Sequence, residues 1–144
     1  MLRRLTATSS TWATVPLRLG LGISFIGHGA QKVAGSFNGP GLSKFISFPA
    51  PYAFMRPAWL WMAFAAFGEL VGGALVLLGL LTRVGAFLIA CVMITAIAGV
   101  HWPKFFAPEG MELAVGFLAI ALALLITGGG QLSVDRFLGG RRRR

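Results

Sequence analysis

Residues 113–134 read LAVGFLAIALALLITGGGQLSV, and residues 84–103 read VGAFLIACVMITAIAGVHWP. Neither run contains Asp, Glu, Lys or Arg. Each is close to the ~20 apolar residues that a helix needs to cross the hydrocarbon core of a bilayer. We therefore predict two membrane-spanning helices, near residues 84–102 and 112–130.

Two further apolar runs carry polar side chains. Residues 58–81 are interrupted only by Glu69, and the run that begins at Val15 is interrupted by Arg18, His28 and Gln31 before it ends at Lys32. These runs predict helices near residues 58–81 and 15–32. The expected fold is an all-α, integral membrane four-helix bundle that forms a single domain over residues 1–144.

The composition excludes an ordinary soluble globule. Of the 144 residues, 56% are hydrophobic and 12% are charged, whereas a soluble domain carries roughly 25% charged residues. The net charge of +9 comes from basic residues at the ends of the apolar runs, including Arg141 to Arg144. This placement favours membrane lipid as a partner and argues against nucleic acid. The single cysteine, Cys91, excludes an intrachain disulfide.

The loop charges predict the orientation. If the N-terminus is cytoplasmic, eight basic residues lie on the cytoplasmic side and four on the other. The positive-inside bias then places both termini in the cytoplasm of a multi-pass protein of the inner cell membrane. Residues 1–14 form the N-terminal segment and 136–144 a basic tail. Between the first two helices, the stretch from Leu42 to Phe48 predicts a short interfacial half-helix, which Pro49 ends.

Glu69 is the clearest candidate for a functional group. An ionisable side chain at a helix centre costs about 2.5–3.5 kcal/mol on insertion scales. Its neighbours at helical spacing are small, and Gly68 and Gly72 form a GxxxG step that lets another backbone approach. We expect Gly68, Gly72 and Gly73 to pack against a neighbouring helix. Glu69 is either a structural carboxylate or a proton or ligand group.

The first helix supplies partners for Glu69. His28, Gln31 and Lys32 share one helical face, and Arg18 lies about 80° round the helix from His28. By depth we expect Glu69 to pair with Arg18 or His28 first and with Lys32 next. Alternatively, the Arg18 side chain extends toward the lipid headgroups on the cytoplasmic side and does not pair with Glu69.

A second polar cluster lies at the junction of the last two helices. His101 ends one helix and Glu112 begins the next, where a carboxylate favours the helix N-terminus. His101 and His28 lie toward the same face of the membrane, so they could line one cavity. The pattern of histidines and glutamates is weak for a metal, and we predict no metal site. No P-loop, GxGxxG, GxSxG or HExxH motif is present, which leaves open whether the chain is an enzyme.

Several motifs together resemble the DoxX family of membrane proteins. They are Arg18-Leu-Gly-Leu-Gly, His28-Gly-Ala-Gln-Lys32, Gly39-Pro-Gly-Leu42, the run from Glu69 to Arg83, the region from His101 to Glu112, and Leu132-Ser-Val-Asp135-Arg136. The resemblance implies a four-helix membrane bundle related to subunits linked to quinone reduction. The arginine tail has no counterpart in this resemblance.

Three functions follow as hypotheses. The first is an accessory or quinone-site subunit of a membrane oxidoreductase or redox-homeostasis system, with quinone as the candidate ligand and no intrinsic redox centre. The second is a purely structural subunit of a respiratory or other energy-converting membrane complex. The third, a small transporter, is less favoured because no inverted repeat is visible. A larger membrane complex or a homo-oligomer is the expected partner, and the sequence does not identify it.

Overall fold

The computed structural model describes residues 6–106 and 110–139, and in these ranges the chain is helical without a β-strand. This confirms the predicted all-α class. The helices are α1 (Thr14–Ala34), α2 (Gly41–Ile46), α3 (Ala58–Leu78), α4 (Thr82–Ala96), α5 (Glu112–Thr127) and α6 (Val134–Leu138). A 3-10 turn, Ser36–Asn38, follows α1, and a π-helical turn, Ile97–His101, extends α4. The short α2 lies where the half-helix was expected.

Glycines in the left-handed region explain where two long helices end. α3 ends at Leu78, three residues before the predicted limit, because Gly79 has a φ of 67° and its N–H bonds back to the last turn. α5 ends at Thr127, also three residues early, because Gly128 has a φ of 73°. Hydropathy does not detect these ends, because the residues beyond them are still apolar or small.

The four long helices pack in a ring: α1 on α3, α3 on α4, α4 on α5, and α5 back on α1. Gly22 of α1 packs against Leu77 of α3, and Gly29 of α1 packs against Leu70 of α3, so the two helices run in opposite directions. A Cβ at Gly29 would lie 2.5 Å from the Leu70 backbone, which shows how closely the two helices approach. Glycine is needed at this contact because the neighbouring atoms belong to the main chain.

The surface of the helices is apolar. Two helical segments, Ala58–Leu78 and Thr82–His101, are long and apolar enough to cross a membrane. Only 39% and 28% of these spans are buried, whereas a core helix of a soluble protein is mostly covered. Phe64, Phe87 and Ile126 are more than half exposed. Such a surface suits hydrocarbon rather than water.

Candidate functional site

Polar side chains gather at two separate places. We call the first the Arg18 end: it contains the start of α1, the end of α3, the start of α4 and residues 128–135. We call the second the cavity end: it contains the C-terminal half of α1, the middle of α3, the end of α4 and the start of α5.

At the Arg18 end, one guanidinium holds the ends of several elements together. Arg18 is 5% exposed. Its Nε and Nη2 donate to the carbonyls of Val76 and Leu77, at 3.1 and 2.9 Å. Its Nη1 donates to Gly129 and Gln131, at 3.0 and 3.1 Å. The first two carbonyls lie in the last turn of α3 and the other two in the turn that follows α5, so Arg18 ties these two parts of the chain together. Arg18 therefore pairs with backbone, and Glu69 is not among its hydrogen-bond partners.

Asp135 completes the Arg18 end. It is 1% exposed, and its carboxylate accepts from the N–H groups of Leu81 and Thr82 at 2.7 and 2.8 Å and from the Thr82 hydroxyl at 2.7 Å. A carboxylate on a helix N-terminus is favourable, so Asp135 caps α4 from a distant part of the chain. Asp135 also attracts the Arg18 guanidinium. These contacts hold the start of α4 and the segment that carries Asp135 together.

The N-terminal segment closes over the same end. The N–H of Ser9 donates to the Thr127 carbonyl at 2.9 Å, and the N–H of Gln131 donates to the Thr11 carbonyl at 3.0 Å. Arg83 donates to the carbonyls of Ala7 and Ile126 at 3.2 and 2.8 Å. The segment before α1 is therefore tied to the end of α5.

The cavity end contains a cavity of about 330 Å³. Its lining joins four parts of the chain: α1, α3, α4 with its π-helical turn, and the start of α5. The lining residues are Phe25, His28, Lys32, Glu69, Met93, Ala96, His101, Gly110, Leu113, Ala114 and Phe117. Four residues that the sequence singled out, His28, Lys32, Glu69 and His101, thus line one space.

An ion pair forms the polar part of the lining. The Lys32 ammonium bonds to Oε2 of Glu69. The Glu69 side chain is 4% exposed and that of Lys32 is 23% exposed. The partner of Glu69 is therefore Lys32, the third of the three that the sequence offered. The Lys32 ammonium also lies 5.5 Å from the ring centroid of Phe45 in α2, which links the half-helix to the cavity.

Aromatic rings form the opposite wall. Phe117 of α5 contacts Phe25 of α1 edge to face, with ring centroids 5.3 Å apart. His28 lies 6.1 Å from Phe25 and 6.5 Å from Phe117. His101 reaches the cavity from the π-helical turn, a local geometry often found at functional sites. The cavity lining therefore combines apolar side chains, two imidazoles and a charged pair.

The other predicted site residues lie outside this lining. Gln31 packs against Gly39 in the turn after α1. Glu112 begins α5 and is exposed. In the described part of the chain, no group of three His, Cys, Asp or Glu side chains is arranged to hold a metal ion.

The three α3 glycines differ in their surroundings. A Cβ at Gly73 would lie 2.7 Å from the Ile26 nitrogen of α1, and one at Gly72 would lie 3.1 Å from the Gly85 carbonyl oxygen of α4. A Cβ at Gly68 would make only ordinary contact, 3.7 Å from a Val92 methyl carbon. Gly72 and Gly73 therefore lie at close helix contacts, whereas Gly68 has room for a methyl group.

Sequence reasoning did not identify two groups of important residues. Asp135 and Thr82 lie at the ends of apolar runs, and the only available signal was the Ser133-Val-Asp135 string, in which Ser133 caps α6. Phe25 and Phe117 look like ordinary apolar residues of a span. Only the structure shows that the two rings contact each other between α1 and α5 and line the cavity.

The exposed apolar helices define a helical membrane protein. The family model named DoxX matches residues 13–102, more than half of the chain. The chain therefore belongs to the DoxX family, as the motifs indicated. No curated protein and no solved structure matches the chain. The matched range contains Arg18, Lys32, Glu69 and His101, whereas α5 and Asp135 lie beyond it.

Proposed function

We propose that this protein is an accessory subunit of a membrane oxidoreductase or redox-homeostasis system, and that its cavity holds the head group of a quinone. The observation that carries the proposal is the 330 Å³ cavity between an aromatic wall and the Lys32–Glu69 pair. The protein provides no redox centre of its own in this proposal. Electrons come from a partner in a larger membrane complex or from another protein that docks on a homo-oligomer.

The cavity has a size and a lining that suit a ring-shaped head group. Ligand sites usually measure about 300–1,000 Å³, and an apolar space of about 150 Å³ already holds benzene. The half-buried Phe117 offers apolar surface to a ring, and the buried Phe25 supports it from behind by an edge-to-face contact. Lys32, His28 and His101 carry N–H groups that can donate to its carbonyl oxygens. A bound quinone would supply two-electron redox chemistry, while the ion pair and the imidazoles would orient it and hold protons.

We also propose the membrane arrangement. The four long helices span the inner cell membrane, and both termini are cytoplasmic. The apolar exposed surface and the loop charges support this proposal. The tail from Arg141 to Arg144 lies outside the described residues. Cysteine-accessibility labelling should place position 44 and the C-terminus on opposite sides, and labelling on the same side would contradict this topology.

A purely structural subunit is the second candidate function. It is favoured by one observation: Glu69 already has Lys32 as a partner, so the buried charge is explained without a ligand. In this case the cavity is a packing defect filled by lipid. The third candidate function is a small transporter, and no contact in the described part of the chain supports it specifically.

Direct binding separates these candidates. The purified protein in nanodiscs is titrated with ubiquinone-1 by calorimetry, as the wild type and as Glu69→Gln. We expect wild-type binding and at least about 10-fold weaker binding by the variant, because the neutral amide holds the Lys32 ammonium less firmly in place as the donor to a quinone carbonyl, and a hydrogen bond from a charged group contributes about 1.5–3 kcal/mol. The control is Lys44→Gln, which changes an exposed charge on α2 outside the cavity and should leave the affinity unchanged. Absence of heat with the wild type would favour the structural subunit.

A further inference from the structure

The cavity has an exposed rim on one side. Most of its lining is buried or half-buried, but His28 of α1 and Leu113 of α5 are exposed. Leu113 is 60% exposed. These two residues come from the two helices whose contact is the least extensive in the ring. The cavity therefore opens sideways, between α1 and α5.

The two helices beside this rim expose apolar side chains on their other faces as well. α1 exposes Leu19 and Ile23, and α5 exposes Val115 and Leu122, about 140–180° round each helix from His28 and Leu113. In a membrane protein, such side chains contact the hydrocarbon chains of lipid. The loop side of the cavity is different, because Phe45 of α2 lies over the Lys32 ammonium there. The sideways opening therefore leads to lipid, while aromatic and charged groups lie on the loop side.

We infer that the ligand is a lipid-phase amphiphile whose hydrocarbon tail leaves the cavity between α1 and α5, past His28 and Leu113. This inference rests on the proposed function and specifies the ligand class further. The polar ring lies between the ion pair and the aromatic wall, and the tail lies in the bilayer beside α5. A water-soluble molecule with the same ring but no tail would make no contact with His28 and Leu113 at the rim. The rim therefore favours ligands that carry a hydrocarbon tail.

Photolabelling tests the path of the tail. The probe is a benzoquinone with a ten-carbon tail that carries a diazirine at its far end, bound to the protein in nanodiscs and irradiated. Adducts that ubiquinone-1 competes away should map to α1 and α5. Competed adducts on α2 or on residues 47–57 would show that the head group binds but that the tail leaves on the loop side, which overturns the inference alone. No competed adduct, together with no binding of ubiquinone-1, would overturn the proposed function.

A pair of variants supplies the second readout. Leu113→Trp places a bulky ring at the rim, and Leu122→Trp is the matched control on the same helix, exposed but outside the lining. We expect Leu113→Trp to weaken binding of decylubiquinone at least about 10-fold more than it weakens binding of ubiquinone-0, because only the decyl tail loses its path. Unchanged decylubiquinone binding, or equal weakening of both quinones, would contradict the inference.

Discussion

The two polar ends of this molecule use charged side chains in different ways. At the Arg18 end, a buried cation bonds to carbonyls at the end of α3, and a buried carboxylate bonds to N–H groups at the start of α4. At the cavity end, the cation and the carboxylate bond to each other beside an open space. The first arrangement joins helix ends and turns to one another. The second borders a space that a ligand could enter.

This difference separates a role in folding from a role in binding. Removing a group whose partners are main-chain carbonyls leaves several buried acceptors unsatisfied. Removing one member of the pair at the cavity end disrupts a single contact, so it should cost less stability than breaking the Arg18 network. Substitution of a charged residue should therefore cause a large loss of stability at the Arg18 end and mainly a loss of ligand binding at the cavity end. The predictions below run from the largest expected effect on stability to the smallest.

Arg18→Met should be the most damaging change. It removes donors to the carbonyls of Val76, Leu77, Gly129 and Gln131, and breaking such a buried charged network costs about 3–5 kcal/mol. We expect poor expression and a collapsed melting transition in detergent. Arg56→Met, which alters an exposed arginine, is the control and should melt like the wild type. A well-expressed Arg18→Met protein with normal melting would show that the Arg18 end does not hold the fold.

Gly29→Ala should come next. The added methyl group would lie 2.5 Å from the Leu70 backbone, and overpacking of this kind costs about 1–3 kcal/mol. Gly27→Ala is a matched control two residues away, where a Cβ meets nothing within 4 Å. It should be neutral or slightly stabilising, because alanine favours a helix over glycine by about 1 kcal/mol. Equal melting temperatures for the two variants would contradict the close α1–α3 contact.

Lys32→Met should have a moderate effect that a second change relieves. Alone it leaves Glu69 buried without its partner, so stability should fall by about 1–3 kcal/mol. Combined with Glu69→Gln it should cost less than the sum of the two single changes, with a coupling of about 0.5–3 kcal/mol. Chemical denaturation of the four proteins in detergent measures the cycle. Strictly additive effects would show that the pair contributes no coupling to stability.

The sequence predicted the positions of the long helices because uncharged runs of membrane length leave little freedom. It placed the ends of α3 and α5 three residues too far along, because Gly79 and Gly128 end the helices by conformation and not by polarity. The role of Arg18 could not be read from side-chain patterns, because its partners are main-chain carbonyls. A shared cavity for His28 and His101 was expected from their position toward the same membrane face. The depth of the residues ranked Arg18 and His28 before Lys32 as the partner of Glu69, and this ranking was wrong because the partner depends on how α1 is rotated against α3.

The most direct test of the difference between the two ends is the melting of wild type and Glu69→Gln in nanodiscs, with and without saturating ubiquinone-1. Without quinone, the two proteins should melt at similar temperatures, because the glutamine side chain of the variant still accepts a bond from the partly exposed Lys32. With quinone at about 100 times its Kd, the wild type should gain about 2.7 kcal/mol, which raises its melting temperature by several degrees. The variant should gain much less. If Glu69→Gln melts far below the wild type and quinone shifts neither protein, the cavity end is structural as well and its proposed role in binding is wrong.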